Sequence, residues 1–267
     1  MALTTNLVRY YRLNENVANT TVTDATGTTN GTASENTSGL YSSSDHINGC
    51  FAFDGTSENV SLGNSSTLNT ASFTIGMWIY KTADTAANRY PFSRFSSGGH
   101  GAYFTRILAD ETLQFLWNVG GLSNESITST GTIPLNTWTA IMVTYTSGTQ
   151  KIYINNLEDG SGTSDSALNT SNTDINYLGV RTGTANYFSG RQEAFGYWSR
   201  VLTSDERTSW HNGGSGLDYP FTTGTNAQIN IGDEWVAIDA MQINIGDTWK
   251  AVAGAQVNIG DTWKDIF

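Results

Sequence analysis

Two segments, Phe73-Thr-Ile-Gly-Met-Trp-Ile-Tyr80 and Trp138-Thr-Ala-Ile-Met-Val-Thr-Tyr145, restrict the possible folds of this chain more than any other feature. Both are dense in β-branched and aromatic side chains and are bounded by polar, turn-forming sequence, which is the signature of a strand. After the second come Thr146-Ser-Gly-Thr149 and Gln150-Lys-Ile-Tyr-Ile-Asn155, a hairpin with a glycine in its loop. Similar runs cover 7–13, 50–54, 58–62, 90–95, 101–108, 112–118, 125–129, 175–180 and 186–199. Only 14% of the residues are charged, and Gly, Ser, Thr and Asn fill the connections. Such a chain favours extended segments and turns over helix. The expected fold class is therefore all-β, with a long polar loop from Asn14 to about Asn48.

One helix stands out. Thr203-Ser-Asp-Glu206 is a capping box, in which the Thr hydroxyl accepts from the Glu206 amide while Glu206 reaches back, and Gly213 and Gly214 are expected to stop the helix.

After Pro220-Phe-Thr-Thr-Gly-Thr-Asn226, which reads as a linker, the chain becomes periodic. Gln228-Ile-Asn-Ile-Gly-Asp-Glu-Trp235, Gln242-Ile-Asn-Ile-Gly-Asp-Thr-Trp249 and Gln256-Val-Asn-Ile-Gly-Asp-Thr-Trp263 are three 14-residue repeats, each a short strand, a Gly-Asp turn and a second strand. They predict a β-meander of six short strands over 227–267, with Ile and Trp on one face and Asn on the other. So small a sheet buries little apolar surface alone. It needs a partner: the preceding domain, another copy of itself, or a larger assembly. The expected division is a sandwich over 1–219, a linker over 220–226 and the repeat tail.

Thirteen basic residues against 24 acidic ones leave a net charge of −11 and no basic cluster, which argues against a nucleic-acid partner. No apolar run approaches the roughly 18 residues of a membrane span. The N-terminus has no basic segment followed by an apolar stretch, so no secretory signal is expected and the chain is read as made in a cytoplasm. Cys50 lies in the apolar run Cys50-Phe-Ala-Phe53 and is expected to be a core thiol. His46, His100 and His211 show no metal-ligand spacing.

Residues 6–219 resemble the laminin G-like domains of the concanavalin A-like lectin/glucanase superfamily. The resemblance rests on Leu7-Val-Arg-Tyr-Tyr-Arg-Leu13 with Asp24-Ala-Thr-Gly27 and Asn30-Gly31, on Phe53-Asp-Gly55 with Val60-Ser-Leu62, and on Phe73 to Trp78. It continues through Trp138 to Tyr145 with Lys151-Ile-Tyr-Ile-Asn155, and ends in Gly190 and Trp198-Ser-Arg-Val-Leu202 with Thr203 and Glu206. The sequence departs from the family pattern at Glu193-Ala194, where an Asp-Glu pair is usual, and at Asn155-Asn156, where Asn-Gly is. The resemblance implies a concanavalin A-like jelly-roll of two antiparallel sheets. It also implies a structural calcium, with Asp24, Asn30, Asp54 and Glu193 as ligands by position. The competing reading is that Asp24 and Asp54 only shape turns. The tail repeats resemble the C-terminal repeats of bacteriophage tail and other virion proteins.

Glucanases of this fold carry Glu-x-Asp-x-(x)-Glu on one strand, so that alternation brings three carboxylates to one face. No Glu here is followed two residues later by Asp, and the nucleophile, zinc and phosphate motifs are also missing. The chain is therefore expected to be no enzyme. The function expected is a glycan-binding adhesion module of a phage virion, in a tail, fibre or capsid-surface protein, binding a cell-surface glycan. Its repeat tail would join other virion proteins or form a homo-oligomer such as a trimer. The alternative is a virion decoration or tail protein without sugar binding. Sugars stack on aromatic faces, and the loop-proximal candidates are Tyr90, Phe92, His100, Tyr103, Trp117 and Tyr187, each with packing as its competing role. Trp78, Trp138 and Trp198 sit in apolar strands and are assigned to the core.

Overall fold

The computed structural model describes residues 2–64, 66–95, 102–119, 123–169, 174–182 and 186–221, together with 228–231, 234–237, 242–245, 248–251, 256–259 and 262–265. The chain divides into two compact units, Met1–Pro220 and Phe221–Phe267.

The first unit contains β1 (Leu7–Tyr11), β2 (Thr21–Val22), β3 (Gly31–Ala33), α1 (Thr37–Leu40), β4 (Tyr41–Ser42), β5 (Cys50–Asp54), β6 (Val60–Gly63), β7 (Phe73–Lys81) and β8 (Arg89–Arg94). There follow β9 (Tyr103–Ile107), β10 (Thr112–Asn118), β11 (Asn124–Thr132), β12 (Trp138–Thr146), β13 (Thr149–Ile154), β14 (Leu157–Gly162), β15 (Asn176–Leu178), β16 (Ser189–Trp198) and α2 (Ser204–His211). They build two antiparallel eight-stranded sheets. The first runs β14-β13-β12-β7-β16-β5-β4, with β1 also on β16, and the second runs β11-β10-β9-β8-β15-β6-β3-β2. The expected all-β sandwich is what forms.

Strict alternation decides which side chains enter the space between the sheets. In β7 these are Phe73, Ile75, Met77 and Ile79, and in β12 Ile141, Val143 and Tyr145. Facing strands add Phe92, Tyr103, Phe115 and Trp117. Phe73 is central, with ring centroids 4.6 Å from Tyr103, 5.4 Å from Tyr145 and 5.6 Å from Tyr197. The phenols of Tyr103 and Tyr197 and the Arg94 guanidinium all donate to the carbonyl of Leu68, which satisfies three buried donors at one acceptor.

Three features differ from the sequence expectation. The stretch 14–48 is no featureless loop: it carries β2, β3, α1 and β4, held by bonds such as Ala33 N to Thr20 O (2.8 Å) and Thr37 N to Asn19 O (2.7 Å). β14, Leu-Glu-Asp-Gly-Ser-Gly, extends the first sheet at its edge without any apolar alternation to announce it. In the second unit each repeat closes on itself: Gln228–Ile231 pairs with Glu234–Ala237, Gln242–Ile245 with Thr248–Ala251, and Gln256–Ile259 with Thr262–Asp265. Among the described residues these are three separate hairpins. Their register sets Asn230 across from Trp235 and Ile229 across from Val236.

Candidate functional site

The outer face of the first sheet, away from the core, is unusually aromatic. Its residues are the alternate ones of the same strands. Across β12, β7, β16 and β5 the register places Trp138, Tyr80, Arg191 and Ala52 in one row. Ala140, Trp78 and Glu193 form the next row, and Met142, Gly76 and Gly196 the one after. The later rows are covered by α2, whose Trp210 stacks on Trp78 at 6.0 Å and whose His211 stacks on it at 5.5 Å. The first row is left partly exposed: Trp138, Tyr80 and Arg191 all retain solvent access.

These three side chains touch. The rings of Tyr80 and Trp138 lie 5.5 Å apart, and the Arg191 guanidinium carbon sits 4.6 Å above the Tyr80 ring. Along β16 the neighbouring residue fixes this geometry. Gly190 has φ 148°, and a Cβ there would lie 2.1 Å from the carbonyl oxygen of Tyr80, so any side chain would push β16 off β7 beside the patch. One row further out, Ser189 faces Asp54, and its hydroxyl lies 3.1 Å from that of Thr82. The aromatic row therefore has a polar border.

The loop before β5 forms a wall. Its His46 ring lies 4.1 Å from Trp78 and 5.9 Å from Trp138, with Nε2 2.6 Å from the carbonyl of Gly214. What holds the loop is Glu193. Its Oε2 accepts from the amides of His46 (3.4 Å) and Ile47 (3.3 Å), while Oε1 is buried without a partner. Burial pushes the Glu193 carboxyl up to about 7, against the pull of those amides. Ala194 follows at φ 54°, in the β-bulge between Glu193 and Gly196. At the other end of the wall, burial and the nearby His46 hold the His211 imidazole below its ordinary range.

The sequence-derived ligand candidates lie elsewhere. Phe92, Tyr103 and Trp117 are 0%, 0% and 1% exposed, inside the sandwich, and present no ring face to solvent. This corrects the expectation for all three: they lie in the inward phase of β8, β9 and β10, where burial of large rings is what stabilises the sandwich. Tyr90 is also buried, in a satellite cluster with Phe95 and Phe104. Tyr187 is partly exposed just before β16, and His100 lies outside the described residues. Trp78 and Trp198 are buried as expected, but Trp138 is not a core residue. The missed signal was its phase. Trp138 and Tyr80 stand an odd number of residues from Ile141 and Ile79, which places them on the opposite face from the core.

The four positions implied as calcium ligands fall in three places. Asp24 is buried, accepts from the amides of Tyr10 and Thr29 and from the amide and hydroxyl of Thr26, and lies 3.7 Å from the Arg9 guanidinium. Asn30 Oδ1 accepts from the Asp24 amide, 3.1 Å away. Asp54 accepts from the amides of Thr56, Ser57 and Glu58 and from the hydroxyls of Thr56 and Ser57. Partial burial tends to raise its carboxyl, but those bonds win and hold it well below the usual carboxylate range. Glu193 pins the loop. A calcium ion needs six to eight oxygens in one shell. These four do not fit one: they lie at three separate places, and the oxygens of Asp24 and Asp54 are taken by N–H and O–H donors and act as turn anchors. Among the described residues no three His, Cys, Asp or Glu side chains gather as a metal-binding group. Cys50 is buried with its thiol toward the carbonyls of Ser42 and Ser44, and burial pushes it up to about 12, far from thiolate chemistry at neutral pH.

Two facing antiparallel sheets with one outer face left open at an aromatic and arginine row define a concanavalin A-like β-sandwich. The chain belongs to the laminin G-type family (Laminin_G_3) of the concanavalin A-like lectin/glucanases superfamily, whose model matches residues 54–206, more than half of the chain. No curated protein matches the sequence. Among solved structures, domain 4 of AbnA, an extracellular arabinanase of family GH43 from Geobacillus stearothermophilus in complex with arabinotriose, is similar with a TM-score of 0.61 at 19% identity, covering 76% of this chain and 97% of that one. The binding domain of Paraclostridial Mosquitocidal Protein 1 is similar with a TM-score of 0.62 at 15% identity, covering 77% of this chain and 51% of that one. A sialidase of Trypanosoma rangeli gives a TM-score of 0.60 at 12% identity, covering 80% of this chain and 34% of the sialidase. The chain thus spans about a third of the sialidase and half of the mosquitocidal domain. At these identities the likeness is one of fold.

Proposed function

We propose that the first unit is a non-catalytic glycan-binding module and that the exposed row Trp138–Tyr80–Arg191 is its binding face. That row carries the reading. A saccharide presents an apolar ring face and a rim of hydroxyls, and the site answers with two aromatic rings beside Ser189, Thr82 and Arg191. Support comes from the similar arabinanase domain, which is in complex with arabinotriose, and from the mosquitocidal protein's domain, which is a binding domain. The nearby acids support a binding role over hydrolysis. Most glycosidases cleave the bond with two accessible carboxylates about 5–10 Å apart across it. Glu193 is buried behind the His46 loop, and Asp54 is engaged by its own turn.

The finer part of the proposal is a virion adhesin: the sandwich attaches to a cell-surface glycan and the 227–267 hairpins join other virion proteins or copies of the chain. Three near-identical 14-residue units support this, since hairpins so short bury little surface unless they stack on something. No helix among the described residues is long and apolar enough to cross a membrane.

A glycan array probed with the wild type and with Trp138→Ala tests the binding face. The wild type is expected to bind a defined subset of glycans, and the variant to lose at least about tenfold in affinity for them, the worth of one stacked aromatic anchor. Silence of the wild type on every glycan would favour a structural virion protein. Release of reducing ends from any polysaccharide would overturn the non-catalytic reading.

A further inference from the structure

Resting on the binding face proposed above, the structure assigns it a ligand class: we propose that the site selects glycans bearing an isolated anionic group, a carboxylate or a sulfate, held by Arg191. Several cations of the first unit find a carboxylate, Arg9 with Asp24 among them. Arg12 pairs with Asp218, Lys81 and Arg89 with Glu111, Lys151 with Glu158, and Arg200 with Glu206. Arg191 does not. Among the described residues its guanidinium has no ion pair and no hydrogen bond, only the Tyr80 ring 4.6 Å below it. It remains partly exposed and is held in place by stacking.

The nearest acids leave it unpaired for identifiable reasons. Asp54 stands one row along on β5, with its oxygens taken by Thr56, Ser57 and Glu58. Glu193, two residues on in β16, is buried against the amides of His46 and Ile47. Asp45, in the wall loop, accepts from the Gly49 amide. A planar guanidinium with open donors matches the two oxygens of a carboxylate, or two of a sulfate, in a bidentate pair. The Trp138 ring lies on the far side of Tyr80, so a sugar stacked there brings a substituent on its own or the adjoining residue over Arg191. Net charge decides what kind of anion. A surface at −11 repels a dense polyanion such as nucleic acid, while one cation recognises one charge on an otherwise neutral sugar.

The test is calorimetric titration of the full chain with three matched oligosaccharides that share one backbone: a neutral one, one bearing a single uronic carboxylate and one bearing a single sulfate. Wild type, Arg191→Gln, Arg191→Lys and Trp138→Ala are compared, with thermal melting confirming that each folds. An acidic oligosaccharide is expected to bind about 10-fold or more tighter than the neutral one, the worth of a charge-assisted pair. Arg191→Gln should erase that preference, so that the variant binds acidic and neutral oligosaccharides within about twofold of each other, and Arg191→Lys should keep part of it, since a point charge replaces a fork. The carboxylate and sulfate arms tell which acid is the source. Equal or tighter neutral binding by the wild type overturns the anionic preference and leaves the glycan reading standing if Trp138→Ala still weakens it. If no oligosaccharide binds in any arm, both fail.

Discussion

Glu193 is a carboxyl group that burial holds against its charged form. Its carboxyl, pushed up to about 7 by burial, stands above its unfolded value, so the unfolded chain releases that proton first. The group's contribution is intact below the ordinary glutamate range and declines as pH rises from there through about 7. Glu193→Gln keeps an oxygen for the amides of His46 and Ile47 and removes the charge. It is expected to raise stability by about 2 kcal/mol at pH 8 and to be nearly neutral at pH 4, read by urea denaturation at both values. Equal effects at the two pH values would show that Glu193 is not the titrating group. The residue scale also shows what the sequence disclosed of the site. The phase of Trp138 and Tyr80 against Ile141 and Ile79 was legible, and places both on the outer face. That Arg191 settles on Tyr80 was not, because the register of β16 on β7 passes through a bulge at Ala194 that alternation does not reveal.

Among the elements, α2 is the one whose local code and tertiary role coincide. Thr203 accepts from the Glu206 amide, and Glu206 returns the bond to the Thr203 amide (2.9 Å), as the Thr-Ser-Asp-Glu spacing predicts. The helix ends at Asn212, in the left-handed region at φ 50°, one residue before the glycines expected to stop it. Glu206 also takes two bonds from Arg200, at 2.6 and 2.7 Å, an addition no local motif announces. Burial opposes its charge, but Arg200 and the Thr203 bonds prevail and bring its carboxyl down to about 2. The sign is opposite to that of Glu193: this stabilisation is present above the ordinary glutamate range and lost as pH falls toward 2. Glu206→Gln should therefore cost about 2–3 kcal/mol at pH 7, with the difference from wild type shrinking below pH 3, measured by denaturant titration. An undiminished cost in acid would assign the effect to packing. The edge strand β14 was hidden for the reverse reason: its Asp159 accepts from the amides of Thr130 and Gly131 in β11 and its Gly160 lies close to the β11 backbone, roles that need polar and small residues and leave no apolar alternation.

For the whole molecule, the two-sheet sandwich was readable because ordered apolar alternation leaves strands few ways to bury one face each. The tail was readable as repeats but not in its pairing, since a 14-residue period suits separate hairpins and a continuous meander equally. Ending the chain after Pro220 is expected to leave the sandwich's melting midpoint within about 3 °C, because the division into compact units falls there. On the proposed role of the hairpins, the same truncation lowers the mass in solution. Light scattering showing one unchanged mass for both forms would refute that role. Glycan binding as proposed requires a saccharide to meet the outer face of the first sheet at Trp138. The most direct measurement is a two-dimensional 15N–1H spectrum of the full chain titrated with a bound oligosaccharide. The indole N–H of Trp138 and the amides around Tyr80 and Arg191 are predicted to shift first and saturate together. Shifts confined to other parts of the sandwich, with the Trp138 indole unmoved at saturation, would contradict it.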